Sequence, residues 1–322
     1  MRKMARFNRR NQKRKRPEPP GPSGFVVVDK PAGRTSHDVV DEARRWFGTR
    51  RVGHLGTLDP QATGVLPLAI RGATKLIPFM DGATKAYDGT VVLGAETDTL
   101  DREGVVTRQF SGSLPARDAV EKALEDFRGD IQQIPPMYSA VKKDGVPLHK
   151  LARRGEEVER DPKWVTIDEV EVTRFESPEV DLRVRCSSGT YVRVIAADLG
   201  ESLGCGAHLG ALRRTQSGPF LIEESHPVEE FEAAGRDGKL ESMMVSMADA
   251  LGFPVHQIAG EQQIRLQNGG DLPSGDLPRM APGARVSILD ASGNFLAVAE
   301  LRADRRLWPL RVLLDAHLEQ TR

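Results

Sequence analysis

Apolar positions along this chain fall into short blocks, some spaced as on a helix and some alternating as on a strand. Residues 24–30 (GFVVVDK) form a β-branched run ended by Pro31, the pattern of a buried strand. From Thr35, the residues Val39, Val40, Ala43, Trp46 and Phe47 recur at helical spacing, with Thr35 or Ser36 placed as cap and Gly48 as stop. Residues 64–70 and 87–94 read as further strands and 73–80 as a helix. A helix capped by Ser113 presents Val120, Leu124 and Phe127 and closes at Gly129. Period-two alternation in 165–175 and 180–186, on either side of Ser177-Pro178, predicts a hairpin; 191–203 is the next helix, stopped by Gly204. A linker is expected near 235–238. From Phe253 the pattern changes to short strands, ending with Phe295, Ala297, Ala299 and Leu301 in strict alternation. That is a small β-rich module of about 70 residues, the size of a minimal independent domain.

Two stretches carry no such pattern. Residues 1–16 are almost wholly basic and polar and are followed by a Pro/Gly linker to 23; such a block cannot bury apolar area and is expected to be a disordered arm. Residues 130–160 are a long loop rich in Pro, Gly, Lys and Arg, the kind of loop that carries function. The expected division is therefore an arm and linker at 1–23, a main domain at 24–251 and a β-rich domain at 252–322.

Composition narrows the function classes. A chain of 322 residues with 39% hydrophobic residues can build a real core, so disorder of the whole chain is excluded. No run approaches the roughly 18 to 20 apolar residues of a membrane helix, and no apolar segment follows the basic start as in a signal peptide. A soluble, cytoplasmic protein is expected. Two cysteines, Cys186 and Cys205, cannot form a disulfide framework or a four-thiolate metal site and read as reduced, structural thiols. The net charge of zero conceals an asymmetry, since residues 1–16 carry +9 and the rest carries 37 bases against 46 acids, or −9.

Three sites invite chemistry. Gly204, Gly206 and Gly210 (GCGAHLG) follow a helix with GxGxxxG spacing, the wrong setting for a dinucleotide loop. Glu96, Asp98 and Asp101 (ETDTLD) fit no Ca²⁺ loop and read as a solvated turn after a strand. Asp59 lies in HLGTLDPQATGVL, where Leu55, Leu58, Val65 and Leu66 would set it at the edge of an apolar pocket. An Asp before Pro is by itself more often a turn-former than a catalyst.

The run GHLGTLDPQATGVLPL at 53–68, with GFVVVDKPAGRTSHDVV before it and KAYDG after it, resembles the bacterial tRNA pseudouridine synthases of the TruB type. So do QQIPPMYSAVKKDGVPL at 132–148 and SSGTYVRVIAADLGESLGCGAHLGALRRTQSGPF at 187–220. These motifs occur in order across 24 to about 252, and more loosely the C-terminal module resembles a PUA domain. The resemblance implies an α/β (α+β) fold around a central mixed, mainly antiparallel sheet. It further implies action on the uridine at position 55 in the T-loop of tRNA, by a monomer with no obligatory protein partner, metal or cofactor. Residue by residue, Asp59 matches the essential carboxylate, Tyr87 the aromatic that stacks on the target base, and Arg193 the partner of the carboxylate. Tyr191 lines the same pocket, Leu212 is the apolar wall and His54 helps hold the flipped loop open. One position departs from the family pattern: His149 stands where an aromatic, usually Tyr, is common.

The chemistry agrees with that reading. Converting uridine to pseudouridine breaks N1–C1′ and forms C5–C1′ with no net redox change. It needs a nucleophile or electrostatic stabiliser at the sugar, an apolar slot in which the base turns, and an acceptor for the C5 proton. Asp59, Leu212 and Tyr87 are the expected groups, with the Arg193 guanidinium keeping Asp59 ionised. Attack at C1′, attack at C6 and elimination through a glycal all remain open. Lys142, Lys143, Lys150, Arg153 and Arg154 form a candidate RNA clamp, and Arg213 and Arg214 a further basic pair. Two other readings stand beside this one: a non-catalytic RNA-binding protein on the same fold, and a guide-dependent synthase.

Overall fold

The computed structural model describes residues 20–80 and 82–313; the basic arm expected at 1–16 lies outside them. Strand β1 (Gly24–Lys30) is buried at all but one position. Helix α1 (Ser36–Trp46) begins with a capping box, in which the Thr35 hydroxyl accepts from the Asp38 amide at 3.0 Å and the Asp38 carboxylate from the Thr35 amide at 2.8 Å. β2 (Val52–His54) and β3 (Thr63–Ile70) follow. The helix expected at 73–80 is instead a 3₁₀ helix, Arg71–Phe79, with Pro78 near its end. Then come β4 (Lys85–Leu93), β5 (Ala95–Thr97), β6 (Val106–Gln109) and α2 (Arg117–Leu124). Helix α2 starts after Ala116 with no side-chain cap, so Ser113 does not cap it.

The segment expected as one loop at 130–160 is partly ordered. It holds most of β7 (Gly129–Gln133), the small hairpin β8 (Lys142–Lys143) and β9 (Val146–Pro147), and α3 (Leu148–Ala152). β7 has almost no apolar content and exists because the neighbouring β10 (Lys163–Glu176) offers an edge to pair with. β11 (Glu179–Cys186) completes the expected hairpin, and α4 (Val192–Ser202) follows. β12 (Ala207–Ser217) is the strand that the hydrophobic pattern does not reveal, since it carries Gly, His and two Arg, and its only large apolar side chains are Leu209 and Leu212. β13 (Phe220–Leu221), β14 (His226–Pro227), α5 (Val228–Asp237) and α6 (Met247–Leu251) close this part; the linker expected near 235–238 is the end of α5, stopped by Gly238. The C-terminal module holds β15 (Val255–Ile258), α7 (Glu261–Gln267), β16 (Leu272–Pro273), β17 (Arg285–Asp290), β18 (Phe295–Leu301) and β19 (Arg306–Val312).

The large sheet runs β14-β1-β3-β12-β4-β11-β10-β7, mixed and mainly antiparallel, with β2 and β13 paired off this path. The C-terminal module is a second sheet in the order β15-β17-β18-β19-β16. Period-two alternation in β1 divides the core. Val26 and Val28 pack with α1, α4 and α5 on one face, whereas Phe25 and Val27 pack with Ala73, Leu76, Met247, Phe295 and Val298 on the other. Apolar side chains of the C-terminal sheet thereby share a core cluster with the first strand.

The parallel pairing of β3 with β12 depends on one glycine. Gly64 lies opposite Arg214 with φ +97, and a Cβ there would sit 2.2 Å from the Arg214 carbonyl oxygen. Gly64→Ala should destabilise the protein by about 3 kcal/mol in urea denaturation, through backbone strain and a broken pairing; a loss below about 1 kcal/mol would show that the pairing tolerates a side chain.

Candidate active site

The turn that carries Asp59 is fastened from two strands and a helix. Buried Lys30, at the end of β1, donates through Nζ to the carbonyls of Pro31, Arg34 and Pro60 at 2.7 to 3.0 Å. Buried Ser36, the first residue of α1, accepts from the Leu58 amide at 2.8 Å and donates to the Leu58 carbonyl at 3.1 Å. The Ala62 amide donates to the Asp59 carbonyl at 3.1 Å. Pro60 follows Asp59 in the turn, and β3 runs from its far side into the sheet.

Asp59 lines a cavity of about 220 Å³ with Leu58, Lys85, Tyr87, Tyr191, Arg193, Leu209 and Leu212. Its side chain is 45% exposed and is partly enclosed by these residues. Burial therefore raises the Asp59 pKa above the ordinary carboxylate range, opposed by the Arg193 guanidinium and reinforced by the Asp101 carboxylate. Arg193 is 5% exposed and stands in the first turn of α4, not on a helix surface. Its Nη2 lies 3.2 Å from Asp59 Oδ2 and donates to the Tyr138 carbonyl at 2.7 Å, while Nη1 lies 3.4 Å from Asp101 Oδ2.

Asp101 corrects the reading of ETDTLD as a solvated turn. Its Oδ1 accepts from the Thr99 hydroxyl at 2.6 Å and the Glu103 amide at 3.1 Å, and the turn is tied to β12 by hydrogen bonds between Leu100, Arg102 and Leu209. The sequence holds only an indirect signal for it: a buried guanidinium needs more than one acceptor. Lys30 likewise has no mark in the sequence that separates it from a surface lysine. Burial lowers its pKa to about 8, with the Asp59 charge acting against that shift.

Tyr87, Tyr191 and Leu212 converge on the same cavity, and His54 lines a second one that shares Lys85 with it. Tyr87 on β4 is buried, and that burial raises its phenol pKa. Tyr191 precedes α4; its main chain is held by the Gln133 side chain, and the Arg193 guanidinium lies 5.9 Å from its ring centroid. Leu212 projects from β12 into the cavity wall. His54 ends β2 and lines an adjoining cavity of about 260 Å³ with Lys85 and Ser217. Its Nδ1 accepts from the Gly56 amide at 3.3 Å, and burial and then Arg214 lower its pKa, so it is neutral.

The basic residues divide. Lys142, Lys143, Lys150, Arg153 and Arg154 are exposed on the β8–β9–α3 segment. His149, in the same segment, holds the turn before it: its backbone amide and ring Nδ1 both bond the Ser139 carbonyl, at 3.1 and 3.0 Å. Arg213 is paired with Asp29 at 2.7 Å. Arg214 is fully buried and its guanidinium is engaged by main-chain carbonyls, so it is no RNA contact. Cys186 and Cys205 are buried, and burial pushes the Cys186 thiol up to about 11, in keeping with inert thiols.

The Asp59 midpoint in a carboxyl-carbon NMR titration, assigned by comparison with Asp59→Asn, should lie above that of a free Asp side chain. Arg193→Met removes the cation that favours the ionised form and should move it further up; Asp101→Asn removes a like charge and should move it down. Unchanged midpoints in both variants would show that the three groups are not electrostatically coupled.

Comparison with known proteins places these residues in a family context. The family model described as TruB family pseudouridylate synthase (N terminal domain) matches residues 44–192, and that described as tRNA pseudouridylate synthase B C-terminal domain matches 193–251. A protein named tRNA pseudouridine synthase B from Geobacter sulfurreducens is 47% identical over 292 residues, 88% of this chain and 95% of that protein. One of the same name from Pseudomonas fluorescens is 40% identical over 295 residues, 90% of this chain and 95% of its own length. Among solved structures, a Cbf5-Nop10-Gar1 complex aligns with TM-score 0.68 at 26% identity, covering 90% of this chain and 85% of the matched chain. An H/ACA RNP bound to a substrate RNA containing 2′-deoxyuridine aligns with TM-score 0.68 at 23% identity, over 91% and 86% of the two chains, which is a likeness of fold.

Proposed function

The chain belongs to the TruB family of pseudouridylate synthases and isomerises uridine to pseudouridine in tRNA, and we propose that its target is the uridine at position 55 of the T-loop, with Asp59 as the catalytic carboxylate. The observation that carries this is the Asp59–Arg193–Asp101 arrangement at the wall of a cavity sized for a single base. The reaction breaks N1–C1′, forms C5–C1′, and moves one proton from C5 to N1 in the balance. A carboxylate beside the sugar serves attack at C1′, attack at C6 or elimination through a glycal. Arg193 favours its ionised form and aims it, and Asp101 holds the guanidinium from the other side.

A base inside a structured loop must be extruded at a cost of a few kcal/mol, recovered by stacking and by phosphate contacts. The rings of Tyr87 and Tyr191 with Leu212 form the slot that receives it. The exposed cations at Lys142, Lys143, Arg153 and Arg154 clamp the RNA over the cavity, and the Tyr138 carbonyl on Arg193 ties that segment to the reacting centre. The division of labour is a catalytic domain at 24–251 and a PUA-like, RNA-holding domain at 252–322, where Trp308 is exposed. The enzyme works as a monomer without an obligatory protein partner, in the cytoplasm where its tRNA is found. Among the described residues no helix is long and apolar enough to cross a membrane.

On an unmodified tRNA transcript labelled with tritium at uracil C5, the wild-type protein should release tritium, and a free T-arm stem-loop should suffice as substrate without guide RNA. Asp59→Asn should lower that release by at least about a thousandfold with tRNA affinity within about threefold. Retained turnover would overturn the role of Asp59; activity only with a guide RNA would overturn the substrate assignment. Neutralising Lys142 and Lys143, or deleting residues 1–16, should flatten the dependence of tRNA affinity on salt, by about 0.7 to 0.9 in log–log slope for each phosphate left without its cation. An unchanged slope would place the RNA elsewhere.

A further inference from the structure

Arg214 is the largest of the fully buried side chains, yet among the described residues it has no carboxylate partner within 4 Å. A buried cation without a counter-charge is costly, and burial accordingly disfavours its charged form. What it has instead is a ring of neutral oxygens. Nε donates to the Val65 carbonyl at 2.7 Å, Nη2 to the Gly56 carbonyl at 3.2 Å and Nη1 to the Thr57 carbonyl at 3.5 Å, and the Tyr87 hydroxyl is a further hydrogen-bond partner. Gly56 and Thr57 lie just before Leu58 and Asp59.

The sheet register explains why one side chain reaches both places. On β12, Arg214 lies opposite Gly64 of β3 on one side and Tyr87 of β4 on the other. A planar guanidinium has five N–H donors in a fixed fork and no acceptor. Towards it the Tyr87 oxygen must therefore accept, which leaves the hydroxyl hydrogen to donate elsewhere. Tyr87 lines the same cavity as Asp59.

We propose that Arg214 is a positioning residue for the isomerisation: its one guanidinium fixes the Asp59 turn and the Tyr87 hydroxyl at a set spacing across the cavity, with that hydroxyl turned to donate to the substrate. The inference rests on the function proposed above. A lysine could not substitute, because its donors radiate from one nitrogen and cannot span carbonyls and a phenol on two sides.

The test is single-turnover tritium release, tRNA affinity and thermal unfolding for Arg214→Lys, Tyr87→Phe and the double variant. Arg214→Lys should lower the rate about a hundredfold, the scale of a displacement near 1 Å at a reacting group, while tRNA affinity stays within about threefold. In the Tyr87→Phe background the same change should cost distinctly less, because one of the two groups it aligns is already gone. An unchanged rate, a loss confined to affinity, or full additivity of the two substitutions would overturn the proposal. Should Arg214→Lys fail to fold, hydrogen exchange of the amides at 56–62 decides in Tyr87→Phe: faster exchange than in the wild type supports the coupling, and unchanged exchange overturns it. Wild-type protein that releases no tritium would instead overturn the function proposed above, and the exchange measurement would still answer for Arg214.

Discussion

Two guanidinium groups held away from water organise this protein. A buried cation has to be surrounded by acceptors, and whatever supplies those acceptors is pinned in space. Arg193 takes its acceptors from three segments far apart in sequence: the Asp59 turn, the Asp101 turn and the Tyr138 carbonyl. Arg214 takes its own from β3, from the residues just before Asp59 and from β4. The Asp59 turn lies between them, with Lys30 and Ser36 closing its remaining sides. Its geometry is set by charged and polar groups, while the apolar core sets only the strands from which it hangs.

Hydrogen bonds also join the 134–160 segment to the Asp59 cavity. His149 holds the Ser139 carbonyl, Tyr138 next to it bonds Arg193, and Gln133 at the end of β7 grips the main chain of Tyr191. A displacement of the 134–160 segment would therefore reach Arg193 through the Tyr138 carbonyl. His149 makes a local hydrogen bond through a ring nitrogen, so the turn is secured by polarity.

Much of the framework is legible in the sequence because periodicity reports burial. β1, α1, β3, α4 and the β10–β11 hairpin bury apolar side chains at the expected spacing, and the α1 cap is visible at Thr35. The strand β12 is not legible, although it is central to the sheet, because backbone pairing holds it between β3 and β4 while its side chains serve the site. β7 is hidden for a related reason, as an edge strand that pairs without an apolar pattern.

The sequence by itself determined which groups are available: the motifs that resemble one family, the carboxylate at Asp59, the cation at Arg193, the aromatic residues at Tyr87 and Tyr191. These follow from residue type and order, which no folding step alters. Only the tertiary structure decided which charges face water and which face each other. It moved Arg214 from a surface cation to a buried clamp and Asp101 from a solvated turn to the second anion on Arg193. Burial and pairing belong to positions in space, and residues separated by more than ninety positions in the chain meet there.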